Sequence, residues 1–134
     1  MKSILIFVLS SVFLSACSNS DDNPKIDSEL RGTWMLTNIS CLWWFDPETN
    51  FNHISLNFND SENSVIVQNP REDYFYIANS GTYNYTLTDD TIKINGSDDF
   101  KYMVDGDILI LTRVDDPQIA DDELGLAYKR IQWD

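Results

Sequence analysis

The chain has 134 residues, of which 43% are hydrophobic, and its 22 acidic residues against 9 basic ones give a formal net charge of −13. Phosphates and anionic headgroups repel a chain this acidic, so the composition excludes nucleic acid as a partner. The length suits one globular domain, and two cysteines are too few for a disulfide framework.

The first 16 residues have the features of an export signal. Lys2 gives a positive start, residues 4–13 form an apolar run, and Ser15 and Ala16 are the small residues that a signal peptidase requires. The apolar run is shorter than the roughly 20 residues that span a bilayer. We therefore predict a signal peptide over residues 1–16 rather than a membrane-spanning helix.

The segment LSAC at residues 14–17 resembles the lipobox of bacterial lipoproteins. The resemblance implies cleavage before Cys17 and acylation of its sulfur and new amino group by fatty acids such as palmitate. Two or more acyl chains anchor a domain stably in a membrane where one would not. The alternative is an ordinary secretory signal with a chance cysteine.

The residues after Cys17 refine the predicted location. Ser18 implies the outer membrane in the sorting rules of lipoproteins, and Asp21-Asp22 resemble acidic tags that favour the cell surface over the periplasmic face. A plain polar tether, in which Pro24 discourages helix, is the alternative. The predicted organisation is a signal peptide at residues 1–16, a lipidated tether at 17–29 and one domain at 30–134.

From residue 30 onward the sequence predicts strands joined by short turns. Apolar and polar residues alternate, and Tyr, Ile, Val and Thr are abundant, which is the signature of half-buried strands. No long stripe of helical period appears, so the predicted class is all-β. The predicted strands are 32–39, 53–58, 64–68, 74–78, 82–87, 91–95, 100–104, 108–114 and 126–133.

The connections between residues 58 and 114 are short and rich in Asp, Asn, Gly and Ser. Such lengths and compositions are typical of hairpins, and consecutive hairpins make an antiparallel up-and-down meander. A Greek-key sandwich would need a long return connection. A meander of about eight strands removes its two edges by closing, so we predict a barrel.

The segment LRGTW at residues 30–34, at the start of the first strand, resembles the Gly-x-Trp signature of lipocalins and of lipocalin-like domains in bacterial lipoproteins. The glycine allows a sharp turn into the strand. The resemblance implies that Trp34 closes one end of the barrel and that an arginine from a late strand packs over its ring. Both Arg113 and Arg130 are candidates for that arginine.

The loop over residues 40–52 is unusually rich in large aromatic residues, with Trp43, Trp44, Phe45 and Phe51. In lipocalins the corresponding connection commonly arches over the mouth of the barrel. Three roles stay open for it: a plug that fills the barrel, a lid over a ligand, or a contact site for a partner.

The sequence has few groups suited to catalysis or metal binding. His53 is the only histidine, which leaves neither a histidine metal cluster nor an identifiable Ser-His-Asp arrangement. Acidic residues at 115–116 and 121–123 could hold calcium, but they lack the spacing of a calcium loop. Cys41 is either a small buried hydrophobe or a contact for an external partner. We expect no enzyme activity, cofactor or metal.

Two functions are therefore predicted. The first is a lipid-anchored, lipocalin-like protein of the cell envelope that binds a small, mostly apolar ligand in its barrel. The alternative is a surface module with a filled core that contacts a protein or a glycan through residues 40–52. The residues predicted to line a ligand site are Trp34, Leu36, Trp43, Trp44, Leu56, Phe58, Tyr83, Tyr85, Phe100, Tyr102, Leu109 and Leu111.

Overall fold

The computed structural model describes residues 29–40, 48–70, 77–114 and 123–132. The predicted signal peptide, Cys17 and most of the tether lie outside the described residues, as do Cys41, Trp43 and Trp44. Within the described ranges, no helix is long and apolar enough to cross a membrane.

In the described part of the chain, eight antiparallel strands form one closed barrel. Each strand pairs with its neighbours in chain order, and the last pairs with the first, so the sheet has no open edge. The predicted all-β class, the meander and its closure into a barrel are confirmed. The strands are β1 (Gly32–Ser40), β2 (Ser55–Asn59), β3 (Ser64–Gln68), β4 (Gly81–Thr88), β5 (Thr91–Ile94), β6 (Asp99–Asp105), β7 (Ile108–Arg113) and β8 (Gly125–Ile131).

Side-chain alternation explains why these segments form strands. In β2, Leu56 and Phe58 are buried inside the barrel, whereas Asn57 between them is exposed. In β5, Ile92 and Ile94 are fully buried on either side of an exposed lysine. Because successive side chains of a strand point to opposite faces, this pattern gives each strand one face for the core and one for water.

A β-bulge shifts the inward and outward alternation of side chains in β1. Leu36 faces the interior, and strict alternation would next bring Asn38 inside. The pairing with β8 shifts register between Leu36 and Asn38, so that Ile39 is buried instead. At the bulge, the Thr37 hydroxyl donates a hydrogen bond of 3.0 Å to the carbonyl of Ala127. The bulge therefore keeps a polar amide out of the core.

The predicted strand at residues 74–78 is wrong in its described part. Residues 74–76 lie outside the described residues, and Ile77 and Ala78 belong to no strand. β3 pairs directly with β4, with Val65 opposite Tyr83, which leaves no place in the sheet for an intervening strand. Ile77 is buried because it packs over one end of the barrel, and this burial gives its segment a strand-like apolar pattern.

The start of the second strand also differs from the prediction. β2 begins at Ser55, and His53 lies in the preceding turn, where the Ile54 amide donates a 2.9 Å hydrogen bond to the Phe51 carbonyl. At the C-terminus β8 ends at Ile131, and Trp133 lies outside the described residues.

Strand direction gives the barrel two distinct ends. The lower end carries residues 29–31 and the turns at 60–63, 89–90 and 106–107, which follow β2, β4 and β6. The upper end carries the connections that follow β1, β3, β5 and β7. Asn63, Asp89 and Gly106 have φ between 48° and 58° in the lower turns, a conformation that Asn, Asp and Gly adopt most readily.

Candidate functional site

Trp34 closes the lower end of the barrel. Its side chain is fully buried, and its indole N–H donates a 2.7 Å hydrogen bond to the carbonyl of Leu30, which is also fully buried. Gly32 has φ of +116°, which L side chains rarely adopt, and this lets the chain turn sharply from Leu30 into β1. The segment LRGTW thus supplies both the sharp backbone turn and the indole ring that closes the lower end of the barrel.

Arg130 is the arginine that packs over Trp34. The two residues are paired across β1 and β8, and the guanidinium carbon lies 4.1 Å from the centroid of the indole ring. This distance is well within the range of a cation–π contact. Arg113, the other candidate, instead forms an ion pair of 3.9 Å with Asp98 near the upper end.

The Arg130 guanidinium also binds the segment that precedes β1. Its two terminal nitrogens donate hydrogen bonds to the carbonyls of Arg31 and Glu29, the latter at 2.7 Å. Its remaining nitrogen lies 3.6 Å from a carboxylate oxygen of Asp107. A Cβ added to Gly32 would lie 3.4 Å from the guanidinium, so glycine also leaves room for this arrangement.

Most residues predicted to line a ligand site face the interior. Tyr83 and Tyr102 are half-buried, and the Tyr83 hydroxyl donates a 2.9 Å hydrogen bond to the Asn79 carbonyl. Trp43 and Trp44 lie outside the described residues, and whether any of the set contacts a ligand stays a prediction. The buried members are Trp34, Leu36, Leu56, Phe58, Tyr85, Phe100, Leu109 and Leu111.

These inward side chains pack against one another. The rings of Phe58 and Tyr85 meet edge to face, with centroids 5.3 Å apart and planes at 89°. This geometry is a favourable one for aromatic pairs in cores.

A small cavity lies above these side chains, toward the upper end. It has a volume of about 10 Å³ and is lined among others by Leu36, Leu56, Ile77 and Tyr128. That volume holds about one water molecule. Burial raises the pKa of the Tyr128 phenol, because a phenolate would lose its hydration there.

Of the cavity wall, the prediction contained only Leu36 and Leu56, and Tyr128 and Ile77 are among the wall residues that it missed. The alternation in β8 would have found Tyr128, since Leu126 and Tyr128 point inward on either side of Ala127. Ile77 lies in a connection, and no periodic pattern marks a loop residue that folds over the end of a barrel.

The other candidate residues are dispersed. His53 is half-buried in the turn before β2, and Glu123 is exposed. The aspartates at 115–116 and 121–122 lie outside the described residues. Among the residues that the structure describes, no three or more His, Cys, Asp or Glu side chains are grouped so as to hold a metal ion.

Comparisons with protein-family models, with curated proteins and with solved structures give no match. The barrel is therefore established by the strand order and register of this chain, and the lipocalin resemblance stays an interpretation of the LRGTW segment and the meander.

Proposed function

We propose that the protein is a lipid-anchored, lipocalin-like barrel of the cell envelope that contacts a protein or a glycan through its outside rather than carrying a ligand within. The cavity volume of about 10 Å³ carries this proposal. Small-molecule sites usually measure roughly 300–1,000 Å³, so the interior around this cavity would have to open substantially before a ligand could enter.

Buried side chains lie at both ends of the barrel, as a filled core requires. Trp34 and Leu30 are fully buried at the lower end, and Phe51 and Ile77 are buried at the upper end. Phe51 is the described aromatic of the loop at residues 40–52, and its burial agrees with the plug role for that loop. Interiors packed by side chains are common in small barrels.

The proposed anchor would hold the lower end toward the membrane. Glu29 lies at that end, and the dozen tether residues between Cys17 and the barrel could extend about 40 Å at most. The lower turns carry Asp60, Glu62, Asp89-Asp90 and Asp107, which anionic headgroups would repel. We infer that the upper end and the sides of the barrel are what the protein presents to partners.

A small apolar ligand is the second candidate function. The observation that favours it is the position of the cavity: it has mostly apolar walls and lies beneath Ile77 and Ala78, at the end opposite the Trp34 plug. A ligand would enter there if these loop residues moved aside.

Titration of the chain from residue 18 onward with palmitate and with the uncharged dye Nile red separates the two functions. The filled-core proposal predicts no saturable binding of either probe. The matched variant is Ala78→Leu, which adds bulk at the half-buried wall of the cavity. One-to-one binding by the parent that Ala78→Leu abolishes would overturn the filled-core proposal and establish the ligand-binding one.

A further inference from the structure

The outer surface of β6 and β7 exposes large apolar side chains in a chain that is otherwise strongly charged. Met103 is 55% exposed and Ile108 is 50% exposed. Ile110 is half-buried and lies directly opposite Met103 across the two strands. Adjacent exposed apolar residues of this kind mark an interaction surface more often than a scattered single residue does.

The neighbouring strand β8 has small outward side chains, where β6 and β7 have large ones. Its outward residues Gly125 and Ala127 are small, and they form the floor of an outer groove of about 320 Å³. Ile110 and Thr112 of β7 form one wall, and Asn38 and Ser40 of β1 stand across it. A Cβ added at Gly125 would collide with the Ser40 hydroxyl, so this position has little room for a larger residue.

The charges on this face also differ between the two sides of β7, with an acid on the side of β6 and a base on the side of β8. Ile108 is paired with Asp105 of β6 on one side and with Lys129 of β8 on the other. Neither Asp105 nor Lys129 makes an ion pair with another described residue. Opposite charges thus flank one exposed isoleucine, about 4.8 Å to either side of it, and neither is paired with another charge among the described residues.

We propose that this face binds a second copy of the chain around a two-fold axis that runs along β7, in the plane of the interface. Such an axis lays β6 of one copy over β8 of the other. Lys129 then faces the second copy's Asp105, and Met103 enters the groove over the second copy's Ala127. Ile108 and Ile110 meet their own counterparts on the axis.

The pairing of features within the face favours a second copy over an unrelated partner. A two-fold interface must be self-complementary, because the same patch forms both sides. Here the large residue and the small one, and the acid and the base, lie at equal distances on opposite sides of β7. A different partner would need none of these symmetric relations.

The contact is three strands wide, about 15 Å at the usual strand spacing. With strands of six residues, about 20 Å long, the contact covers roughly 300 Å² per copy, against about 800 Å² per partner in a stable complex, so we expect a weak dimer that forms at high local concentration. Anchoring on a membrane would supply that concentration. The self-complementary geometry of the face depends on neither the anchor nor the proposed function, whereas the amount of dimer in cells rises with the concentration that the anchor supplies.

Cysteine cross-linking of the full chain in intact cells tests the proposal. In a Cys41→Ser background, Ile108→Cys lies on the axis and should give a disulfide-linked homodimer with a mild oxidant. The double variant Met103→Cys with Ala127→Cys should also form homodimers, because its two sites are two strands apart within one chain and too distant to bridge. Ile66→Cys is the matched control, since Ile66 is 45% exposed on the outer face of β3.

We expect at least about tenfold more homodimer from Ile108→Cys than from Ile66→Cys, whose yield reports random collision. Equal yields would overturn the proposal. A conjugate of Ile108→Cys with a different protein, identified by its mass, would also overturn it and assign the face to another partner.

Charge reversal tests the register. In the Ile108→Cys background, Lys129→Asp and Asp105→Lys should each lower the homodimer yield several-fold, because each places like charges face to face. The two changes together should restore the yield. Failure of the combined variant to recover, with circular dichroism showing folded protein, would overturn the proposed axis.

Discussion

Arg130 supports a sharp prediction, because the chain contains its own control. Arg130→Met should keep much of the apolar stem over Trp34 but remove the guanidinium that lies 4.1 Å from the ring. The cation–π contact contributes about 1 kcal/mol at a partly buried site. The two hydrogen bonds to the carbonyls of Glu29 and Arg31 contribute about 1.5 kcal/mol each, since the donor is charged.

The ion pair of Arg130 with Asp107 adds little, because it is long and partly exposed, and such pairs contribute about 0–1 kcal/mol. We therefore expect Arg130→Met to lower the free energy of unfolding by about 3–4 kcal/mol. Arg113→Met should lower it by less, since the Arg113 ion pair with Asp98 is long and lies at the surface. Arg130→Lys should be intermediate, because an ammonium keeps the charge but cannot reach both carbonyls as a fork.

Equilibrium denaturation in urea, monitored by circular dichroism, gives these free energies. Equal losses for Arg130→Met and Arg113→Met would refute the reasoning. So would an Arg130→Lys variant as stable as the parent, because the fork would then contribute nothing.

Other predictions follow from the same structure. Trp34→Ala should cost about 3–5 kcal/mol, measured in the same way, and an unchanged midpoint would place Trp34 at the surface. Cys17→Ala should abolish fatty-acid labelling and release the domain from membranes, and labelling equal to that of the parent would refute the anchor. Because burial raises the pKa of Tyr128, the unfolded state loses that proton first, so stability should fall as the pH rises above about 10, by about 1.4 kcal/mol per pH unit from this residue. Tyr128→Phe should lack this contribution. If the free energy of unfolding of the parent and that of Tyr128→Phe fall equally above that pH, the phenol ionises freely in the folded protein and the reasoning is wrong. Trp43 and Trp44 should have the fluorescence emission of buried indoles if the loop at residues 40–52 is a plug. Emission like that of free indole in water, with full quenching by iodide, would contradict the plug and favour the lid or the partner site.

The barrel could be predicted because its signals are local. Alternation in segments such as β2 and β5 places apolar residues on one face, and short polar turns join the strands in chain order. Closure follows from the cost of two open edges in a meander of eight strands. The bounds of β3 were predicted to the residue, at Ser64–Gln68.

The features that sequence reasoning missed depend on contacts between distant segments. Arg113 and Arg130 both lie near the ends of late strands, and only the pairing of Trp34 with Arg130 across β1 and β8 distinguishes them. Ile77 reads as part of a strand, but its burial comes from folding over the upper end. The bulge in β1 likewise depends on its pairing with β8, because the phase shift that buries Ile39 is a property of the pair.

The outer surface was the least predictable part of the molecule. Asp105, Ile108 and Lys129 belong to three different strands, and their alignment in one row requires the registers of two strand pairs. A single-strand pattern shows only that each of them points outward. The self-complementary face is therefore visible only after the barrel is assembled.

Native mass spectrometry of the protein extracted gently from the cell envelope tests the central claim most directly, since it reads the anchor and the interior together. A lipid-anchored barrel with a filled core predicts the mass of the chain from Cys17 onward plus its acyl groups, with no small molecule bound. A small molecule retained in one-to-one amount in the native spectrum and lost on denaturation would contradict the filled core, and a mass without acyl groups would contradict the anchor.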